Sequence, residues 1–167
     1  WIAAGGSQVQ TTNVFAFRHS KNISFSNMTI KNATGHMINL SGTDTATVTN
    51  VKFMDAGRSA DKTDYWYEAV HLDFCSQEGE ITAGAPYDYT PAKNVTVKNC
   101  TFENVHAGVG NHHVLPKAER SKNMSVNITV TGCTFKNIDA YAVGERSVDG
   151  MTVSNNTAEN VAVFAYI

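Results

Sequence analysis

The sequence predicts an all-β protein, a right-handed parallel β-helix with three strands per coil and about 23 residues per coil. Three observations predict it. Five ten-residue segments superimpose without gaps. Each carries Asn, Asp or Gly at two fixed corner positions. The composition, with 16 Asn and 18 Thr but only three Leu in 167 residues, suits strands and tight turns and lacks the staple of helical bundles.

The five segments are Ile23–Asn32, Ala46–Asp55, Val95–Asn104, Ile128–Asn137 and Met151–Asn160. Apolar residues alternate at positions 1 and 3 and resume at 6 and 8, so each segment reads as two short strands joined by a bend. The parity shift falls at position 5, occupied by Asn27, Asn50, Asn99, Gly132 and Asn155. Asn and Gly both tolerate a left-handed backbone at low cost, which suits a corner inside a continuous stack. Position 10, occupied by Asn32, Asp55, Asn104, Asn137 and Asn160, marks the next corner. Most of the Asn-x-Ser/Thr sequons, which begin at Asn22, Asn27, Asn32, Asn94, Asn99, Asn123, Asn127 and Asn155 among others, read as by-products of corner Asn followed by strand Thr.

A third strand follows in each coil: Val14–Arg18, Met37–Ser41, Ala69–Asp73, Gly108–His112 and Ala142–Arg146. Residues 1–167 are expected to form one β-helix domain of five to six coils, cut from a longer solenoid. A β-sandwich has the higher base rate, but it would leave five aligned segments to chance. Cys100 and Cys133 fall in one inward column whose spacing would permit a disulfide, with free core thiols the favoured expectation. The three cysteines follow no CxxC spacing, which argues against a zinc site.

The formal charge of −2 gives no basic excess for nucleic acid, and no apolar run is long enough to span a membrane. The coil pattern lapses in one region. Inserts at about 57–67, 74–91 and 113–124 all border the third-strand sheet and are expected to wall a cleft there. Two outward columns would form its floor: Ala16, Asn39, His71, Gly110 and Gly144, then Arg18, Ser41, Asp73, His112 and Arg146. Five of the six histidines, His36 among them, fall in or near third strands, whereas the other strands expose mainly Thr, Ser and Lys. That uneven distribution favours a functional patch over a merely solvated face. Tyr65, Trp66 and Tyr67 offer flat rings suited to sugar faces.

The coils with their Val-Thr-Val-x-Asn-x-Thr-Phe-x-Asn signature resemble the β-helices of the pectate lyase-like superfamily over essentially the whole chain. The stretches Glu68–Asp73, Pro86–Val97 and Gly108–His112 more narrowly resemble β-helix domains of bacterial cell-surface proteins, such as those of lactobacilli and streptococci. The resemblance implies an extracellular or cell-surface bacterial protein that meets a polysaccharide, as a lyase, a hydrolase or an adhesin. The polygalacturonase and pectate lyase signatures are absent, so no catalytic residue is carried over from them.

For a polyuronide lyase, Arg146 would face the uronate carboxylate and His112 would be the base, with His71 as its alternate. Asp73 and Glu68 would orient the imidazole or hold Ca²⁺ through oxygen ligands. Asn39, Asn111, His113 and Glu145 complete the expected substrate contacts, although Glu145 is expected to point partly inward. The alternatives are a glycan-binding adhesin domain without chemistry and a glycoside hydrolase working through paired carboxyls.

Overall fold

The computed structural model describes residues 13–56, 67–76, 87–112, 114–120 and 122–167. Among the described residues there are fourteen strands, all paired in parallel. They run β1 (Phe15–Arg18), β2 (Lys21–Ser26), β3 (Thr29–Lys31), β4 (Ile38–Ser41), β5 (Asp44–Thr49), β6 (Lys52–Ala56) and β7 (Glu68–His71). There follow β8 (Lys93–Lys98), β9 (Thr101–Val105), β10 (Ala107–Gly110), β11 (Ser125–Thr131), β12 (Thr134–Gly144), β13 (Val148–Ser154) and β14 (Thr157–Tyr166).

Every strand pairs with its counterpart one coil away, which makes the fold a parallel β-helix. The first strands of the coils stack as one sheet in the order β13-β11-β8-β5-β2. Second strands stack as β3-β6-β9 and third strands as β1-β4-β7-β10. The long β12 runs through both positions of its coil and joins the two stacks into one sheet, and β14 pairs along it. The register is the one the repeats predict: Ile23 pairs with Ala46, Ala46 with Val95, Val95 with Ile128, and Ile128 with Met151.

The corners explain why the register holds. Asn27, Asn50, Asn99, Gly132 and Asn155 all take φ between 54° and 65°, and the position-10 residues take 53° to 58°. A third left-handed column, Asn22, Thr45, Asn94, Asn127 and Gly150, falls at the second or third residue of the first strands. Corner amides also bond along the stack. Asn160 Nδ2 donates to Asn137 Oδ1 at 2.8 Å, Asn137 to Asn104 at 2.9 Å, and Asn104 to Asp55 at 3.1 Å. Such ladders satisfy polar side chains that would otherwise compete with the backbone.

The core fills the inside of the coil. Phe53, Phe102 and Phe135 stack at 4.8 and 4.7 Å between ring centroids, with planes within 13°. Ile38, Leu40, Val70, Leu72, Val109 and Val143 are wholly buried, as the third-strand reading requires. Phe15 is 37% exposed, yet its ring still lies 5.2 Å from that of Phe25. Cys100 and Cys133 are free and buried, with the Cys100 N–H 3.4 Å from Cys133 Sγ. Among the described residues no helix is long and apolar enough to cross a membrane.

Candidate functional site: a buried carboxylate among histidines

Third strands bring ionisable groups from successive coils onto one spot. β7 and the residues after it supply Glu68, His71 and Asp73. The preceding coil supplies His36, just ahead of β4, and the following coil supplies His112, just past β10. The register continues beyond β10, because the Asn111 N–H donates to the Gly144 carbonyl at 2.8 Å.

Glu68 is the hub, 1% exposed. Its Oε2 lies 2.9 Å from His71 Nδ1, 3.0 Å from His112 Nδ1 and 3.4 Å from His36 Nδ1. The Tyr141 hydroxyl donates to its Oε1. On the far side of His71, Nε2 lies 3.2 Å from Asp73 Oδ2, while Asp73 Oδ1 accepts the Phe74 N–H at 2.8 Å. The three imidazoles stack: centroids are 3.9 Å apart for His36 and His71, and 4.8 Å for His71 and His112.

Local backbone features permit this crowding. β12 carries one extra residue relative to β14 between Ile138 and Tyr141, a bulge that re-aims the tyrosine. Gly110 has φ of 147°, and a Cβ there would sit 1.7 Å from the Gly144 carbonyl oxygen. A Cβ on Gly144 would stand 2.6 Å from the Tyr141 ring. Gly144 therefore leaves room for the Tyr141 ring, and Gly110 lets the neighbouring coil's backbone approach.

The charges divide sharply. Burial works against a charged His71, but the Glu68 and Asp73 carboxylates on its two nitrogens outweigh burial and raise its pKa to about 10. Burial and the neighbouring His71 drive His36 down to about 3. Burial alone would raise Glu68; His71 and the contact from His112 instead hold it well below the usual carboxylate range. Tyr141 is pushed up by burial and by the Glu68 charge, so it keeps its proton. Glu145 is pushed well above the usual carboxylate range by burial.

The structure brings together four of the five predicted catalytic residues: Glu68, His71, Asp73 and His112. The expectation of an open polar floor is corrected around Glu68, since Glu68, His71 and Asp73 are each 1% exposed and, of these four, only the His112 side chain, at 14%, reaches the surface. A buried carboxylate costs less when several donors surround it, and that is why the cluster closes on itself. The fifth residue, Arg146, follows β12 and is exposed, with its guanidinium 5.6 Å from the Tyr166 ring centroid. Its charge still acts on Tyr141.

Of the expected substrate contacts that lie among the described residues, Asn39, Asn111 and Glu145 are buried supports. Asn39 accepts from the Ser41 hydroxyl at 2.7 Å. Asn111 donates to Glu145 Oε1 and accepts the Arg146 N–H at 3.3 Å. Glu145 is wholly buried. Tyr67 stands edge-on to His36 at 5.3 Å. Tyr65, Trp66 and His113 lie outside the described residues, as do positions 57–66 and 77–86 of the inserts.

His36 and Tyr141 complete the cluster although neither was among the predicted site residues. His36 could have been found from its place two residues ahead of Ile38, which matches Glu68 two ahead of Val70, its register partner. Tyr141 gave no such signal, because the bulge resets its parity. The donor set does not suit Ca²⁺, which takes six to eight oxygen ligands, whereas imidazole nitrogens dominate here.

No protein-family model matches the chain, and no match is found among curated proteins.

Proposed function

We propose that the protein binds an acidic polysaccharide on its third-strand face and cleaves it by β-elimination, outside a bacterial cell, as its likeness to the pectate lyase-like superfamily implies. The observation that carries this reading is the contact between Glu68 and His112 Nδ1. A neutral imidazole that donates from Nδ1 to a carboxylate has its lone pair on Nε2 and is oriented as a base. Of the three clustered histidines, His112 is also the most exposed.

In the proposed reaction, His112 Nε2 takes the C5 proton of a uronate. The C4–O bond breaks with its electron pair, a C4=C5 double bond forms, and the leaving oxygen takes a proton from water. Arg146, exposed one coil further on, faces the uronate carboxylate and makes the C5 proton more acidic. His71 is unsuited to the role of base, because two carboxylates hold its proton. Glu68 and Tyr141 position His112; they do not touch substrate. Hydrolysis fits less well. Glu68 and Asp73 are both buried against His71, and Glu145 is sealed in the core.

A second reading, glycan binding without cleavage, draws support from the same burial, which leaves little of the cluster within reach of a sugar. Incubation with a panel of polyuronides separates the two. New ultraviolet absorbance from unsaturated ends, abolished in His112→Ala, is expected for the lyase. Binding without product would leave the adhesin, and neither would leave a structural spacer.

A further inference from the structure

We propose that His36, Glu68, His71 and His112 form a binding site for one divalent first-row transition ion, with Zn²⁺ as the reference. Each residue offers a ligand atom, and all four atoms lie within 4.8 Å of one another. Ligands about 2.0–2.1 Å from a tetrahedral ion are separated by roughly 3.3 Å. The three nitrogens lie 2.9, 3.0 and 3.4 Å from Glu68 Oε2, close to that spacing.

Oε2 is also crowded: three imidazole nitrogens lie within 3.4 Å of it, with His36 Nδ1 nearer still to the Glu68 backbone carbonyl, at 3.1 Å. A cation among them would resolve the crowding by taking one lone pair from each ligand. Three imidazoles with one carboxylate suit Zn²⁺ and its neighbours, not Ca²⁺ or Mg²⁺.

The outer contacts have the arrangement that metal sites use. Asp73 lies 3.2 Å from His71 Nε2, which would fix that ring with Nδ1 toward the ion. Tyr141 occupies Glu68 Oε1 and leaves Oε2 for coordination. The rings now lie within 20° of parallel, so binding requires them to turn about their Cβ–Cγ bonds until the lone pairs meet.

Occupancy has a consequence that rests on the elimination reading. An imidazole bound through Nδ1 carries its proton on Nε2, so His112 would no longer be a base. The ion is thus an inhibitor of elimination, not its cofactor.

The 167-residue chain, stripped with a chelator, is titrated with Zn²⁺ by calorimetry, and its metal content is measured after dialysis. Co²⁺ in place of Zn²⁺ reports the ligand set through its visible spectrum. One equivalent is expected, with affinity falling at least about 10–100-fold in His36→Ala. His36→Gln serves where the alanine variant fails to fold. His19→Ala is the control, because His19, Cys75 and Asp88 are a second trio within ligand range of one another. Absence of stoichiometric binding overturns the proposal, and so does binding that survives loss of His36 but falls with His19. Where elimination is observed, Zn²⁺ at saturation should abolish it, and unchanged turnover overturns the inhibitory role. Absence of any elimination counts against the lyase reading alone, since the titration contains no substrate.

Discussion

The corners and the third-strand face handle polar side chains in opposite ways. At the corners, amides recur in most coils, several of them bonded to the corner residue one rung away, and most lie in reach of water. On the third-strand face, the polar groups differ from coil to coil, carry charge, and are sealed from solvent around Glu68. A corner amide can be exchanged for water at little cost. A member of the Glu68 cluster cannot, because each charge there is tolerated only through its partners. Repetition sets the register, and the exception to repetition concentrates the chemistry.

The comparison is broken most directly by removing the hub. Glu68→Gln leaves the His71 cation with one carboxylate and is expected to destabilise the fold by about 3–5 kcal/mol in chemical denaturation. A loss comparable to that of a corner variant would show that the cluster is not coupled as its distances imply.

The pH dependence sharpens the same contrast. His71 is raised from 6.5 to about 10, so its stabilisation is complete below pH 6.5 and is lost as pH rises toward 10. Glu68 is depressed, so its contribution is present above pH 4.5 and is lost as pH falls below that. His36, lowered to about 3, adds a further loss on the acid side below 6.5. Melting temperature is therefore expected to decline from neutral pH in both directions. His71→Gln should lack the alkaline decline, and an unchanged decline in that variant would assign it elsewhere.

Tyr141→Phe removes one hydroxyl from a buried carboxylate, and a loss of about 1.5–3 kcal/mol is expected. The same variant should shift the pH profile of any elimination activity, which a packing defect alone would not do. The smallest effect belongs to the corners. Asn104→Gly keeps the left-handed backbone and forfeits the side-chain ladder, for a loss of about 0.5–1.5 kcal/mol in denaturant titration.

The coil was legible because its rules are local and recur. A left-handed residue between two alternating runs has the same meaning in every coil, so Asn27, Asn50, Asn99, Gly132 and Asn155 identified one another. The third corner column was hidden because Asn22, Thr45, Asn94, Asn127 and Gly150 share a conformation but not a residue type. His71, Asp73 and His112 could be placed on one face because strand register extends a few residues past each strand. Tyr141 escaped because a single extra residue in β12 changes which way its neighbours point. The closure of the cluster was also illegible: alternation predicts which face a side chain takes, not whether another coil's groups cover it.

The left-handed corners have one more consequence, for how such a molecule changes over generations. Because the corners and ladders set the spacing of each coil independently, added chain between them need only close a loop. The penalty for closing a flexible loop grows slowly, about 0.6 kcal/mol for each doubling of its length. The pairs Ala46–Val95 and Val95–Ile128 keep their register across intervals longer than the plain 23 residues. The third-strand face can therefore acquire or exchange loops while the scaffold beneath keeps its alignment, which makes it a natural place to graft new specificity.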